Sequence, residues 1–512
     1  MRSWHPLAAV CALTVFTWPL VIRPLELLAH PLGEGINHYW MLWRAFQDPP
    51  VANWPDGLPI PLMDAINAPL ALPGLWVDPV LGFNQVLIAN LVLAFVGSWA
   101  LCRALGAGPD GAFVAGIAGS CSPFFGGLLS FGITESMPLG WIGLHVAALL
   151  HWERSGRWYW LVAAGGALLA FVLSGWYHAV FALVVEAVLL MVLRRRLGLL
   201  LQGLAAGLLV LPRFFGFLEV RDFWLPRFLV PRGAPLDMRP EWHELPAWGT
   251  DLLNLVLPSL GAVEVSKCAY VGLACLGLAL AAGGRARRMW YLVLPLWVLA
   301  LGHWLSIGGH TELLGRSWSL PAGWMVRLVE PLQGLSHWYR AAGPATIFLA
   351  AAAGLGAERL GRWTPLAALA VLLDSLVFSQ NPWPRATTDA TPPRALVEHI
   401  DGPFVQLPFD NGRRDFSDDA LRRYNLWQPR IGHSEGENYE GPDVLLANGV
   451  LGNAQDACGQ ERSVPWPQPT RKGVALPGQI VLHADLCPAA EPLLTAAFGE
   501  PERYQDILIY EL

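Results

Sequence analysis

The sequence predicts a polytopic α-helical membrane protein with about eleven transmembrane helices and a small α/β domain appended outside the membrane. Three observations carry that prediction. Of 512 residues, 54% are hydrophobic and only 14% charged, with a mean hydropathy of +0.40, whereas an ordinary soluble domain carries about 25% charged residues. Apolar runs separated by short arginine-bearing turns recur up to about residue 380 and then stop. Many of the 25 tryptophans stand at the ends of those runs, as interfacial aromatics do. The formal net charge of −6 gives no basic bias toward nucleic acid, so that class of partner is set aside.

The first run, Leu7 to Ile22, follows "MRSWHP" and precedes bulky residues with no small-x-small cleavage site, so it reads as an uncleaved signal anchor. Ten further spans are predicted at 84–104, 111–131, 135–151, 158–173, 177–193, 197–212, 268–283, 289–307, 341–358 and 363–379. Several fall short of the roughly 20 residues that cross hydrocarbon, and flanking Trp and Tyr complete them. Orientation follows from arginine. With the N-terminus cytoplasmic, the short inside loops hold Arg103, Arg154, Arg157, Arg194 to Arg196, Arg285, Arg287, Arg288, Arg359 and Arg362. The outside turns near 132–134 and 174–176 hold neither Lys nor Arg, which is the positive-inside asymmetry. The long loops 23–83, 213–267 and 308–340 and the C-terminus then lie outside.

After residue 379, "NPWPRATTDATPPRA" reads as a Pro/Thr linker into an extracytoplasmic domain over 380–512. Strands are expected at 403–409, 479–486 and 506–512, and helices at 393–400 and 488–498. Five of the seven cysteines sit in or beside apolar runs as small core residues. Cys458 and Cys487 share the outside domain, where a bridge between them and two buried free thiols are the alternatives.

Candidate chemistry begins at "HPLGEGINHYWMLW", just after the first run. Ile36, Tyr39, Trp40, Trp43 and Phe46 recur at helical spacing, with Glu34, Asn37, His38 and Arg44 on the other side. This predicts an amphipathic helix on the outer membrane surface, in which Glu34 and His38 can converge. Glu34 is either a positioned base or a residue favouring the helix N-terminus. Asp56 and Asp64 lie further along the same loop, as partners for Glu34 or as turn residues in a proline-rich stretch.

At the outer mouth of the tenth span, His337 and Arg340 in "HWYRAAGP" can grip an anion, or Arg340 can snorkel to headgroups. Tyr177 and His178 occupy an outside turn near the same mouth. Glu186 and Asp374 lie within spans, where charge normally faces a cavity or a partner. No Walker A, dinucleotide-binding glycine fingerprint, GxSxG or metal-spaced His pair occurs. No cofactor is firmly implied, and a divalent metal has no ligand motif behind it.

The chain resembles GT-C glycosyltransferases, and more closely the bacterial YfhO-type GT-C-like membrane proteins. The resemblance runs through "GEGINHYWMLW", "WPDGLPIPLMDAINAPL" (54–70), "SPFF" (122–125), "SGWYHAVF" (174–181), "AYVGLACLGLAL" (269–280), "GLSHWYRAAGPATIFLAAAAGLG" (334–356) and "FVQLPFD" (404–410). It implies a GT-C-like bacterial inner-membrane protein that takes a sugar from a polyprenyl-phosphate donor and places it on an extracytoplasmic glycan, lipid or protein acceptor. Glu34 would be the catalytic base. His38, Asn37, Asp56, Asp64, Tyr177, His178, His337 and Arg340 would bind substrate. The sequence departs from the family in having Glu where Asp is commoner, with no second acidic residue beside it. A non-catalytic envelope scaffold and a lipid-carrier flippase are the competing classes.

Overall fold

The computed structural model describes residues 4–30, 35–46, 51–52, 58–59, 65–229, 249–257, 269–307, 312–313, 316–329, 335, 337–378, 383–401, 404–407, 479–485 and 487–511. Single positions at 332, 427, 430, 431, 451, 453, 454 and 457 are also described. A helix lies over each of the eleven apolar segments. Among the described residues, Pro79–Ala104, Pro109–Phe131 and the stretch Trp338–Val377 are long and apolar enough to cross a membrane. The segment predicted as one span over 111–131 is two helices, Pro109–Ser120 and Pro123–Phe131. Ser122 caps the second by accepting from the Phe125 N–H, and Pro123 at the first helical position suits a new start. The helix expected to end near 212 continues as Arg196–Leu229. The end of an apolar run marks where hydrocarbon contact ends, not where backbone hydrogen bonding must.

Every residue of Ala342–Ala357 is buried. That helix packs against Pro109–Ser120, Leu273–Ala281, Arg287–Ala300 and Pro79–Ala104. Its run of Ala and Gly explains the central place, because small side chains let backbones approach closely. A Cβ on Gly354 would lie 2.4 Å from the Gly111 carbonyl oxygen, so neither glycine accepts a side chain without moving the helices apart.

The arginine-bearing ends of the helices meet at one end of this bundle. Glu358 pairs with Arg285 at 2.9 Å and accepts from the Gly108 N–H, while Arg359 donates to the Ala282 carbonyl at 2.9 Å. Glu153 pairs with Arg288 at 3.4 Å and accepts from the Arg194 N–H at 3.1 Å. The two carboxylates inside spans are both partnered. Glu186 meets His145 Nε2 at 2.7 Å and accepts from Gln202 at 3.1 Å. Asp374 accepts from the Tyr270 hydroxyl at 3.0 Å and the Ala274 N–H at 2.7 Å. Glu186 is paired from helix to helix, and Asp374 is held by a loop tyrosine and by the first turn of Leu273–Ala281.

The helix Gly35–Arg44 is packed against protein on both of its sides. Ile36, His38, Tyr39, Trp40, Leu42 and Trp43 are all buried, on both its apolar and its polar side. Periodicity locates the apolar face, but it does not show that the polar face also has a protein partner. Trp40 is a buried side chain at 1% exposure, packed with Trp43.

The C-terminal residues form a four-stranded sheet in the order Phe404–Leu407, Gln479–His483, Ile507–Glu511, Glu502–Tyr504. The first pair is parallel and the others antiparallel. Alternation along the strands covers two faces: Leu407, Ile480, Leu482, Leu508 and Tyr510 pack with Leu494, and Phe404, Val481 and Ile509 with Leu396 and Ile400. Cys487 is disulfide-bonded, while Cys458 lies outside the described residues.

His483 is buried on the second face, and desolvation lowers its pKa from 6.5 to about 4. The unfolded chain therefore binds one proton more than the folded one between those values. This histidine stabilises the domain fully above pH ~6.5, and that stability is lost as the pH falls toward 4, amounting to up to about 3 kcal/mol. Unfolding of the domain measured across this range should show that slope, and His483→Phe should flatten it. An unchanged slope in the variant would place the acid sensitivity elsewhere.

Candidate functional site

At the opposite end of the bundle from the arginine cluster, three segments distant in sequence bring a carboxylate, an imidazole and a guanidinium together. The carboxylate is Glu135, in the short 3-10 turn Thr134–Ser136 between Pro123–Phe131 and Gly140–Ser155. Gly132 allows that turn. Its φ of +67° closes the preceding helix in the left-handed conformation, and it packs backbone to backbone on Gly35. A Cβ on Gly132 would lie 2.3 Å from the Gly35 Cα, so the first residue of the loop helix and the Glu135 turn are in direct contact. The His30 N–H donates to the Ser130 carbonyl at 2.6 Å and ties the same two segments one step earlier.

Glu135 uses both oxygens. One meets Arg340 Nη1 at 2.6 Å, with side-chain exposures of 8% and 7% for Glu135 and Arg340. The other lies 3.2 Å from His38 Nε2, and the His38 side chain is 6% exposed. His38 Nδ1 is 3.3 Å from the Thr134 hydroxyl. Behind Thr134 runs a chain of amides. Asn67 donates to the Thr134 carbonyl at 2.9 Å, and Asn90 donates to Asn67 Oδ1 at 2.7 Å and to the Val86 carbonyl at 2.9 Å. The helix Pro79–Ala104 thus orients the turn through two buried amide side chains.

Arg340 belongs to the 3-10 turn Trp338–Ala341 that opens the fully buried helix. Its guanidinium carbon lies 5.0 Å from the Tyr177 ring centroid, within cation–π range. The Tyr177 hydroxyl accepts from the His337 N–H at 2.8 Å and lies 3.1 Å from His337 Nδ1. His178, one residue on, is held by Ser174 at 2.6 Å and stacks on Phe171 at 4.5 Å between centroids.

Of the residues the sequence singles out, the structure brings His38, Tyr177, His337 and Arg340 into one network. Asn37 is half-buried on the loop helix beside His38. Glu34, Asp56 and Asp64 lie outside the described residues. Asp251, from the second long loop, caps the short helix Leu252–Val256 and accepts from Ser306 at 2.7 Å. Arg340 does not snorkel to headgroups, because its charge is sealed against Glu135. Sequence reasoning passes over Glu135, Thr134, Asn67 and Asn90 as site residues. The available signal is the carboxylate in "GITESMP", at the first residue of an apolar run, where a charge needs a partner.

The arrangement is electrostatically compact. The Glu135 carboxylate locks the orientation of the Arg340 guanidinium, and the two charges form a formally neutral buried pair. Among the described residues no group of three or more His, Cys, Asp or Glu is placed to hold a metal ion.

No protein-family model matches the chain, and no match is found among curated proteins. Among solved structures the chain is similar to the crystal structure of ArnT from Cupriavidus metallidurans bound to undecaprenyl phosphate. Identity is 13% and the TM-score 0.49, over 99% of this chain and 97% of that one. A likeness at that level assigns neither a fold nor a ligand to this chain.

Proposed function

We propose that the chain is a membrane glycosyltransferase of the GT-C type, which moves a sugar from a polyprenyl-phosphate donor to an extracytoplasmic acceptor in envelope glycan or glycolipid assembly. The observation that carries this reading is the buried Arg340–Glu135–His38 cluster, built against the loop helix that begins one residue after Glu34. Arg340, with Tyr177 and His337 beside it, takes the donor phosphate. Glu135 holds the guanidinium in place, and His38 lies 3.2 Å from the second carboxylate oxygen. Glu34 removes the proton from the acceptor hydroxyl as its oxygen bonds to the anomeric carbon. The bond from that carbon to the phosphate breaks, and the electron pair leaves on the phosphate beside Arg340. Phosphate is a good leaving group, so positioning and a general base suffice.

A non-catalytic scaffold is the second reading, and one observation favours it: Arg340, the cation offered to the phosphate, is already paired with Glu135 at 2.6 Å. Purified protein in proteoliposomes with a polyprenyl-phosphate-linked sugar separates the two. Turnover of the donor, lost in Arg340→Met, supports transfer, while a protein that neither binds nor turns over the donor is a scaffold.

The reading also requires the site to face outward. Alkaline phosphatase fused after Gln380 is expected to be active and a fusion after Arg196 inactive. The reverse pattern would turn the cluster toward the cytoplasm and remove the acceptor from its reach.

A further inference from the structure

The segment that follows the last apolar helix is bonded, residue by residue, to the segment that follows the first. Trp383 Nε1 donates to the Val15 carbonyl at 2.7 Å, and the Arg385 N–H to the Trp18 carbonyl at 2.8 Å. Arg385, 2% exposed, also donates through Nε to the Phe16 carbonyl at 3.2 Å and lies over the Phe16 ring. Thr388 and Leu27 exchange both backbone hydrogen bonds, at 2.8 and 2.9 Å, as an isolated antiparallel bridge. The Thr388 hydroxyl donates to the Ala29 carbonyl at 2.8 Å, and the Thr387 hydroxyl to Glu26.

The other side of the same stretch is held by one side chain. Asn84, 4% exposed in the helix Pro79–Ala104, donates to the Pro24 carbonyl at 3.1 Å and the Glu26 carbonyl at 2.8 Å, and accepts from the Leu28 N–H at 3.0 Å. Arg430 of the outside domain adds a third hold, donating to the Leu25 carbonyl at 3.0 Å and pairing with Asp78 at 3.2 Å. Residues 24–29 therefore run between a buried amide and a paired strand, and five residues later the chain reaches Glu34 and the loop helix.

We propose that residues 383–391 are a strap rather than a linker, and that Thr388 and Asn84 are positioning residues which fix residues 24–29 and so place His38 against Glu135. Backbone groups that leave a membrane helix must find partners. Here they find them on the segment that leads to the outside domain. Among the described residues the loop helix meets Gly132 at its first residue and the Glu135 turn at His38, and it packs on Pro79–Ala104 and Asn67–Leu75. The aim of the chain that enters it adds to those contacts in setting where His38 stands. The mechanistic consequence rests on the proposed glycosyl transfer, but the placement itself does not.

Hydrogen exchange on the full-length protein in nanodiscs tests the placement without any substrate. Asn84→Leu removes three hydrogen bonds from one side, and Thr388→Pro removes the N–H donated to Leu27 from the other. Both are expected to speed exchange in Gly35–Arg44 by roughly tenfold or more while Pro79–Ala104 and Ala342–Ala357 stay protected. Thr388→Ser, which keeps both the N–H and the hydroxyl, should exchange as the wild type does. With a polyprenyl-phosphate-linked sugar, kcat should fall in both disruptive variants with the donor KM unchanged, because Arg340 is not displaced. Unchanged exchange in Gly35–Arg44 in both variants overturns the proposal. So does loss of protection through the whole bundle in both, since the contacts would then be part of the core instead of a local aim. A wild-type protein without turnover sinks the transfer reaction and leaves the exchange result to judge the strap.

Discussion

Arg340→Met is expected to destabilise the membrane domain by about 3–5 kcal/mol, because it leaves the Glu135 carboxylate buried with its guanidinium gone. Glu135→Leu should cost a similar amount for the mirrored reason. The double substitution Glu135→Leu/Arg340→Met should recover most of the loss, since an apolar pair of similar volume avoids the desolvation of both charges. Thermal unfolding in detergent or nanodiscs, read as a double-mutant cycle, measures the coupling. Additive losses would show that the two charges do not depend on each other, against the 2.6 Å contact. The same cycle separates stability from function. A double variant that is stable yet no longer binds a polyprenyl-phosphate-linked sugar places the phosphate on Arg340. One that is stable and still binds the donor puts the phosphate elsewhere.

Glu34→Gln is expected to lower turnover of the donor by about 10²–10⁴-fold, the contribution of a positioned general base. The amide keeps the size and most of the hydrogen bonding, so stability should change by no more than about 1 kcal/mol. Trp40 is buried with Trp43, and truncating it should cost about 3–5 kcal/mol as a cavity. Wild-type turnover in Glu34→Gln would remove that residue from the chemistry and leave the His38–Glu135 pair as the nearest base.

Much of the architecture is legible in the sequence because each apolar run reports its own preference for lipid over water. The helices at Trp158–Leu173 and Thr364–Val377 fall within a residue or two of the runs that predict them. The strands at Phe404–Leu407 and Ile507–Glu511 do the same by alternation and β-branched content. The break at Ser122–Pro123 and the hydrogen bonds that residues 383–388 make to the first helix and the segment after it escape the sequence for one shared reason. Hydropathy averages over a window, whereas a cap or a paired strand depends on single hydrogen-bond partners. "NPWPRATTDATPPRA" has the composition of a free tether, and Arg385, Thr387 and Thr388 nevertheless find the exposed carbonyls that follow the first helix.

For the site, the sequence by itself determined the membrane class, the helix positions and a set of polar residues at helix ends that includes His38, Tyr177, His337 and Arg340. It could not determine that His38 and Arg340 meet on Glu135, with Tyr177 and His337 beside the guanidinium. A segment's hydropathy is a property of that segment and its solvent, so it can be read locally. The meeting of His38, Glu135 and Arg340 is a property of pairs from three separate segments. It is decided by how closely Gly35 packs on Gly132 and by where the fully buried helix Ala342–Ala357 sets the turn that carries Arg340. Those contacts depend on the absence of side chains at a few positions, which no single stretch of sequence reveals until its neighbours are known.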